Sequence, residues 1–225
     1  MLRLRQAVLV ARDLDAVVAD LRAHLPLADP FHDPGVGHFG LRNAVMPLGD
    51  TFVEVVSPIT DGTAAGRHLD RLCGDGGYMA MFQTDHIAAA RERIARLGVR
   101  VVFEFEQPDV VDLHLHPADV PGAIVALDRM DPPESWRWGG AAWEAQAPAQ
   151  TGPGRVTGMT LTAADPDALS RRWASVLGAE RSDGAIALDG GELRFEAGDR
   201  DGIAAFHVEG TARDVDIGGV TFAAR

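Results

Sequence analysis

A single cysteine stands in the 225 residues, so no internal disulfide can form and a reducing compartment suits the chain. Cys73 lies beside Gly74, Asp75 and Gly76 with no base near it in sequence, which leaves its thiol without a nucleophile–base pair. No stretch approaches the ~20 apolar residues that a membrane span needs. Met1 to Val10 carries basic residues without a sustained apolar core, unlike a signal peptide, so a cytoplasmic location is expected. Positive charge is also short, 21 basic residues against 33 acidic ones, for a net charge of −12. Such a surface repels phosphate backbones and anionic lipid, so neither nucleic acid nor membrane is an expected partner. There is no glycine-rich phosphate loop before a helix, no serine nucleophile elbow and no HExxH.

What the chain does contain is 46% hydrophobic residues, enough for one large core or two smaller ones, arranged in a repeat. Gln6 to Asp13, Tyr78 to Asp85 and Val156 to Asp165 are short β-prone runs that end in aspartate. Each precedes an amphipathic stretch: Leu14 to Leu25, His86 to Leu97 and Pro166 to Leu177. Aspartate is a preferred N-cap, and Pro166 occupies a first helical position where its missing N–H costs nothing. Gly98 and Gly178 stand where left-handed C-terminal caps are expected.

Strand-like runs follow each helix. They are Phe39 to Leu48 and Thr51 to Ser57; then Val99 to Phe105, Val110 to His116 and Ala123 to Leu127; then Gly184 to Leu188, Glu192 to Glu196 and Ile203 to Val208. Phe206 to Val208 and Val215 to Phe222 also read as remnants of a fourth unit without its helix. The spacing predicts an α+β chain of tandem βαβββ modules, the last degenerate. The expected division is two modules over residues 1–135, a Trp-rich linker over 136–154 holding Trp136, Trp138 and Trp143, and the third module with the truncated fourth over 155–225. The tryptophans read either as packing onto the first unit or as walls of a ligand pocket or subunit contact.

The segment Phe39-Gly-Leu-Arg-Asn-Ala-Val-Met-Pro-Leu-Gly-Asp-Thr-Phe-Val-Glu-Val-Val-Ser-Pro58, within this repeat, resembles the glyoxalase-like branch of the vicinal-oxygen-chelate superfamily, which includes glyoxalase I, extradiol dioxygenases and bleomycin-resistance proteins. The resemblance is good from Leu4 to Trp138 and weaker from Arg155 onward. It implies a cleft between paired modules. In metal-using members the resemblance places a His or Gln on the first strand of a module and a Glu on its last. Gln6 and Glu54 fall at those positions in the first module; Met79 (or Tyr78, with a slip of one) and Ala126 fall there in the second, and Gly158 in the third. At most two of four ligands survive, so no metal site is assigned, and a divalent cation at an unusual set (His114, His116, Glu54, Gln6) is the minority reading.

Glu54 shares a strand face with Phe52 and Val56, either as a general base in the cleft or as an edge-strand surface carboxylate. His114 and His116 alternate with leucines, so both face one side, solvent or cleft. Arg42 is expected outside and Asn43 inside; His32, Asp33 and His38 are expected on the surface of a rim loop. The candidate site is therefore Glu54 and His116 as acid–base groups, with Gln6, Asn43, Met79, Gln83, His114 and Trp136 as ligand contacts. The expected partner is a small organic molecule, bound for metal-independent lyase or isomerase chemistry or sequestered without catalysis; paired modules are compatible with a homodimer.

Overall fold

The computed structural model describes residues 1–145 and 154–225. The first part of the chain runs β1 (Leu2–Val10), α1 (Leu14–His24), a 3-10 turn (Pro34–Phe39), β2 (Leu41–Leu48), β3 (Thr51–Pro58) and α2 (Ala64–Leu72). It continues β4 (Gly76–Thr84), α3 (Ile87–Arg96), β5 (Val101–Gln107), β6 (Val110–Leu115), β7 (Ile124–Met130), a second 3-10 turn (Arg137–Gly139) and α4 (Ala141–Glu144). After the undescribed residues come β8 (Arg155–Ala163), α5 (Pro166–Leu177), β9 (Arg181–Ser182), β10 (Ala185–Leu188), β11 (Gly191–Ala197), β12 (Gly202–Glu209), β13 (Val215–Ile217) and β14 (Val220–Ala224). Residues 146–153, the second half of the expected linker, lie outside the described residues.

The strands form two seven-stranded mixed sheets, ordered β2-β3-β1-β4-β7-β6-β5 and β13-β14-β12-β8-β11-β10-β9. In the first, β1 and β4 pair antiparallel at the centre, β3 lies parallel to β1, and β7 lies parallel to β4. The halves β1-β3-β2 and β4-β7-β6-β5 are thus related by a pseudo-twofold between β1 and β4. An isolated bridge from Phe31 to Val45 stands where the outermost strand of the first half would be. The second sheet repeats the plan with β8-β11-β10-β9 and a fourth unit, β12-β14-β13, that has no helix. Tandem βαβββ modules with a degenerate last copy are the architecture. The run Ile203 to Val208 does not close the third module: it lies in β12, which pairs antiparallel with β8 as β4 does with β1, and the short β9 fills the outer place instead.

The caps explain where the helices start. The side chains of Asp13 and Asp165 accept the N–H groups of Ala16 and Ala168, and Gly178 closes α5 in the left-handed region at φ 68°. The second copy differs from expectation: His86, not Asp85, is the cap residue and makes no side-chain cap bond. Helix α2 was not foreseen, although Thr63 caps it through the Gly66 N–H and Ala65 and Leu69 bury one face. Gly76 and Gly77 open β4.

Apart from the exposed edge strand β5, the strands of the first sheet have two buried faces, so alternation sorts their residues between two cores rather than between core and water. One face (Ala7, Leu9, Met46, Val53, Phe82, Leu113 and Leu127 among others) joins α1, α3, α5 and the apolar face of the second sheet in a single core. The opposite face carries Val8, Val45, Phe52, Val56, Met79, Met81 and Ala126, with Trp136 and Trp143 packed over one end.

Two bulges modify that alternation. The β1/β4 register slips between Leu4 and Gln6 and again between Val8 and Leu9, leaving Arg5 and Tyr78 as the extra residues. Counting back from the helix caps, the two bulges are equivalents under the pseudo-twofold. A bulge re-aims a side chain, here setting neighbours on the same side. Tyr78 accordingly joins Met79 on the second face, and Arg5 reaches the Phe52, Trp136 and Trp143 rings there beside Gln6.

Candidate functional site

The second face of the first sheet encloses a cavity of about 600 Å³. Gln6, Val8, Asn43, Val45, Glu54 and Val56 come from the first module; Tyr78, Met79, Met81, Phe103, Phe105, Asp112 and His114 come from the second. Phe39, at the end of the 3-10 turn, and Phe103 on β5 both line it and touch edge to face, ring centroids 5.2 Å apart.

Glu54 is the buried carboxylate of the first wall, with 6% of its surface exposed. Its strand, β3, lies between β2 and β1 rather than at an edge. Gln6 donates from Nε2 to Glu54 Oε2 at 2.8 Å, and Asn43 donates from Nδ2 to Oε1 at 2.7 Å. Both amides are themselves oriented: Trp136 donates from Nε1 to Gln6 Oε1 at 2.7 Å, and the Asp33 backbone N–H donates to Asn43 Oδ1 at 2.8 Å. Each amide thus has its oxygen fixed by a donor, so it must present N–H to the carboxylate. Burial raises the Glu54 pKa from 4.5 to about 7; the Asn43 and Gln6 bonds pull it down, Asp33 pushes it up and His114 pulls it down. A carboxyl with a pKa near neutrality exchanges protons readily at physiological pH.

The second wall holds a different group. Asp112 on β6 and Asp128 on β7 are directly paired residues, 2% and 0% exposed. Trp138 donates from Nε1 to Asp128 Oδ1 at 2.9 Å. Burial first, then the charge of Asp112, raise the Asp128 pKa well above the ordinary carboxylate value, against the Trp138 bond. His114 Nε2 stands 2.9 Å from Asp112 Oδ2, outside hydrogen-bonding geometry, and its ring tilts against Phe103 at 4.9 Å. The remaining oxygen of each carboxylate, Asp112 Oδ1 and Asp128 Oδ2, is buried without a partner. The cross-strand neighbour of His114 is Ala126, whereas that of Glu54 is Val45. The polar group of the second module has therefore moved one strand outward, over an alanine small enough to leave it room.

These positions also test the metal pattern. Gln6 and Met79 stand at equal distances before the caps Asp13 and His86, and Val8 pairs with Glu54 as Met81 pairs with Ala126. The four symmetric positions are Gln6, Glu54, Met79 and Ala126. A thioether and a methyl group replace two donors, and the Gln6 oxygen is already bonded to Trp136. The set does not fit the family's metal site in its usual form, because structural and catalytic zinc-type sites need at least three protein donors. In the third module the equivalent is Gly158, where an added Cβ would lie 1.9 Å from the Glu192 carbonyl oxygen, so no side chain fits.

Of the predicted site residues, Gln6, Asn43, Glu54, Met79 and His114 line this cavity; three others do not. His116 lies one residue beyond β6, where strand alternation no longer aims it. Its Nδ1 accepts the Ala118 N–H outside the cavity. Gln83 is buried elsewhere, accepting from Arg3 and Arg5 and donating to the Pro133 carbonyl. Trp136 is fully buried behind Gln6, and Trp138 forms the cavity wall instead. Asp33, expected on the surface, lines the cavity, and His32 Nδ1 sits 2.5 Å from the Asn43 carbonyl. Asp112 and Asp128 were missed as site residues. The available signal was an acidic residue in each of two apolar runs that the topology pairs.

The chain matches the Glyoxalase-like domain family over residues 7–177. It is 26% identical over 138 residues to the ethylmalonyl-CoA/methylmalonyl-CoA epimerase of Cereibacter sphaeroides, covering 57% of this chain and 98% of that protein. A solved methylmalonyl-CoA epimerase in complex with methylmalonyl-CoA and ammonium is 26% identical with a TM-score of 0.50, covering 60% of this chain and 98% of its own. A hypothetical protein from Staphylococcus aureus shares the fold over 100% of this chain and 99% of its own, with a TM-score of 0.71 and 13% identity.

Proposed function

The chain belongs to the glyoxalase-like domain family of the vicinal-oxygen-chelate superfamily, and from that premise we propose that its cavity binds a small organic molecule and that Glu54 moves a proton at a carbon beside a carbonyl group. The reaction class is an isomerase-type proton transfer. The observation that carries this reading is the Glu54 carboxyl, buried at the cavity wall, held by two oriented amides and brought to a pKa of about 7. Taking a proton from carbon needs a base that is ionised at working pH and whose conjugate acid can return the proton, which a pKa near 7 supplies. The relatives bearing epimerase names support the class of chemistry rather than the substrate.

In this mechanism the ligand enters beside the Phe39–Phe103 pair and displaces water, so the base acts among apolar side chains. Gln6 and Asn43 hold the carboxylate oxygens against rotation, which keeps the proton-accepting lone pair on one line toward the ligand. Tyr78, whose pKa burial pushes up to about 12, stays a hydroxyl donor available to an oxygen that gains charge.

The test is solvent deuterium exchange. The protein in D2O is mixed with a panel of uncharged α-methyl ketones and thioesters, and loss of the proton beside the carbonyl is followed by NMR. Exchange that Glu54→Gln abolishes supports the reading. Binding without exchange, throughout the panel, favours ligand sequestration, a reading suited to the apolar lining of Met79, Met81, Phe105 and Trp138.

A further inference from the structure

Charge inside the cavity singles out a class of ligand. The chain has no lysine; its 21 basic residues are all arginine. None of them lines the cavity. Its titratable lining consists of Asp33, Glu54, Tyr78, Asp112 and His114. The buried Arg5 lies behind the Gln6–Trp136 floor, its guanidinium given to Gln83 Oε1 and the Pro133 and Glu134 carbonyls and stacked among Phe52, Trp136 and Trp143. Arg67 and Arg71 are exposed on α2, outside the lining. The only histidine in the wall stands against Asp112. Asp112, 2% exposed, lines the cavity; its Oδ2 stands 2.9 Å from His114 Nε2 outside hydrogen-bonding geometry, and its Oδ1 is fully buried without a partner.

We infer that the group held in this cavity is apolar, carries no negative charge and presents a hydrogen-bond donor or a cation to Asp112. This rests on the reading of the cavity as the ligand site and narrows its substrate. Methylmalonyl-CoA, named in the relatives' complexes, has a free carboxylate beside the reacting carbon. Here that carboxylate meets carboxyl groups on both walls, with no arginine to receive it and with a thioether and a methyl at two of the four positions where family members can place metal ligands. Two like charges ~8 Å apart at an effective dielectric constant of ~20 repel enough to weaken binding on the order of tenfold or more. A buried acceptor left unpaired in the free protein gives a matching preference for a donor-bearing ligand.

The experiment compares three end groups on the same skeleton by isothermal titration calorimetry at pH 7.5 and 0.15 M salt: 3-phenylpropanol, 3-phenylpropylamine and 3-phenylpropanoate. A decyl series and methylmalonyl-CoA are added. Alcohol and amine are expected to bind and the carboxylate and methylmalonyl-CoA to bind at least about tenfold more weakly. Asp112→Asn, an isosteric change, should weaken the amine about tenfold and narrow the gap between alcohol and carboxylate. Val45→Phe, or Met81→Trp if that variant does not fold, should fill the cavity and remove binding, which separates it from attraction to the acidic surface. A carboxylate that binds as tightly as the alcohol, or an Asp112→Asn variant that treats all three as the wild type does, overturns the inference and leaves the cavity as the ligand site. Absence of binding by every compound overturns the ligand-site reading itself.

Discussion

Glu54 makes the stability of the protein depend on pH in a way that one substitution isolates. Its pKa stands at 4.5 ordinarily and at about 7 in the fold. Because the folded value is raised, the contribution to stability is fully present below pH 4.5, where both states hold the proton. It declines as the unfolded state ionises first, and is lost once pH passes about 7 and the folded state ionises too. The difference in pKa, at ~1.4 kcal/mol per unit, corresponds to about 3 kcal/mol over that window. Glu54→Gln removes the titration. It also sets an NH2 group against a donor, since Gln6 and Asn43 both point N–H at residue 54, at a pH-independent cost of about 1–2 kcal/mol. The stability of the variant minus that of the wild type should therefore be negative near pH 4.5, rise by about 3 kcal/mol towards pH 7.5 and then level off. Urea denaturation of both proteins at half-unit steps from pH 4.5 to 8.5 measures it, and every other titrating group cancels in the difference. A flat difference, or one that falls with pH, would refute the claim that burial outweighs the two amide bonds.

Three further outcomes follow from the same geometry. Trp136→Phe keeps the aromatic packing on Phe52 but removes the donor that fixes Gln6; it should cost about 1–2 kcal/mol in chemical denaturation and raise the Glu54 pKa, seen as a basic shift of the stability profile. Gly139→Ala should cost about 1–3 kcal/mol, because the new Cβ would come 2.7 Å from the buried Phe52 ring, and a lower thermal midpoint with altered near-UV tryptophan dichroism would show it. His116→Ala should leave ligand binding within twofold of wild type, whereas His114→Ala changes a cavity wall and should not; calorimetry against the same ligand separates the two.

The division between walls has a consequence for how the two modules share work. The first module carries a carboxylate held by neutral amides, and the second carries a carboxyl pair with a histidine. Equivalent strands thus offer unlike chemistry to the two sides of one bound molecule, even though the backbone of each half follows the same plan. The shared strand plan forms both walls of the cavity, and the side chains make them different.

The module plan was legible from the chain alone, because its signals are local. An apolar run, an aspartate that can cap, a 3.6-residue stripe and a following alternation each sit within a few turns or strand lengths. Counting along single strands separated Asn43 from Arg42 and set Glu54 on one side with Phe52 and Val56, but Gln6 was named through the family resemblance, and whether Glu54 met cleft or solvent stayed open. The exchanges at Met79 and Ala126 were read through the family resemblance, with Tyr78 left as the alternative to Met79, because the cap that sets the count is His86 and not the expected Asp85. What the sequence could not supply was which face a residue joins after a bulge, since one extra residue reverses alternation and depends on the partner strand. Hence both Tyr78 and Met79 face inward, where counting had to choose between them. The meeting of Asp112 with Asp128, the replacement of Trp136 by Trp138 at the wall, and the departure of His116 past the end of β6 depend on pairings between segments far apart in the chain. Those pairings fix the depth of burial, and burial is what turns an ordinary glutamate into a group that titrates near neutrality.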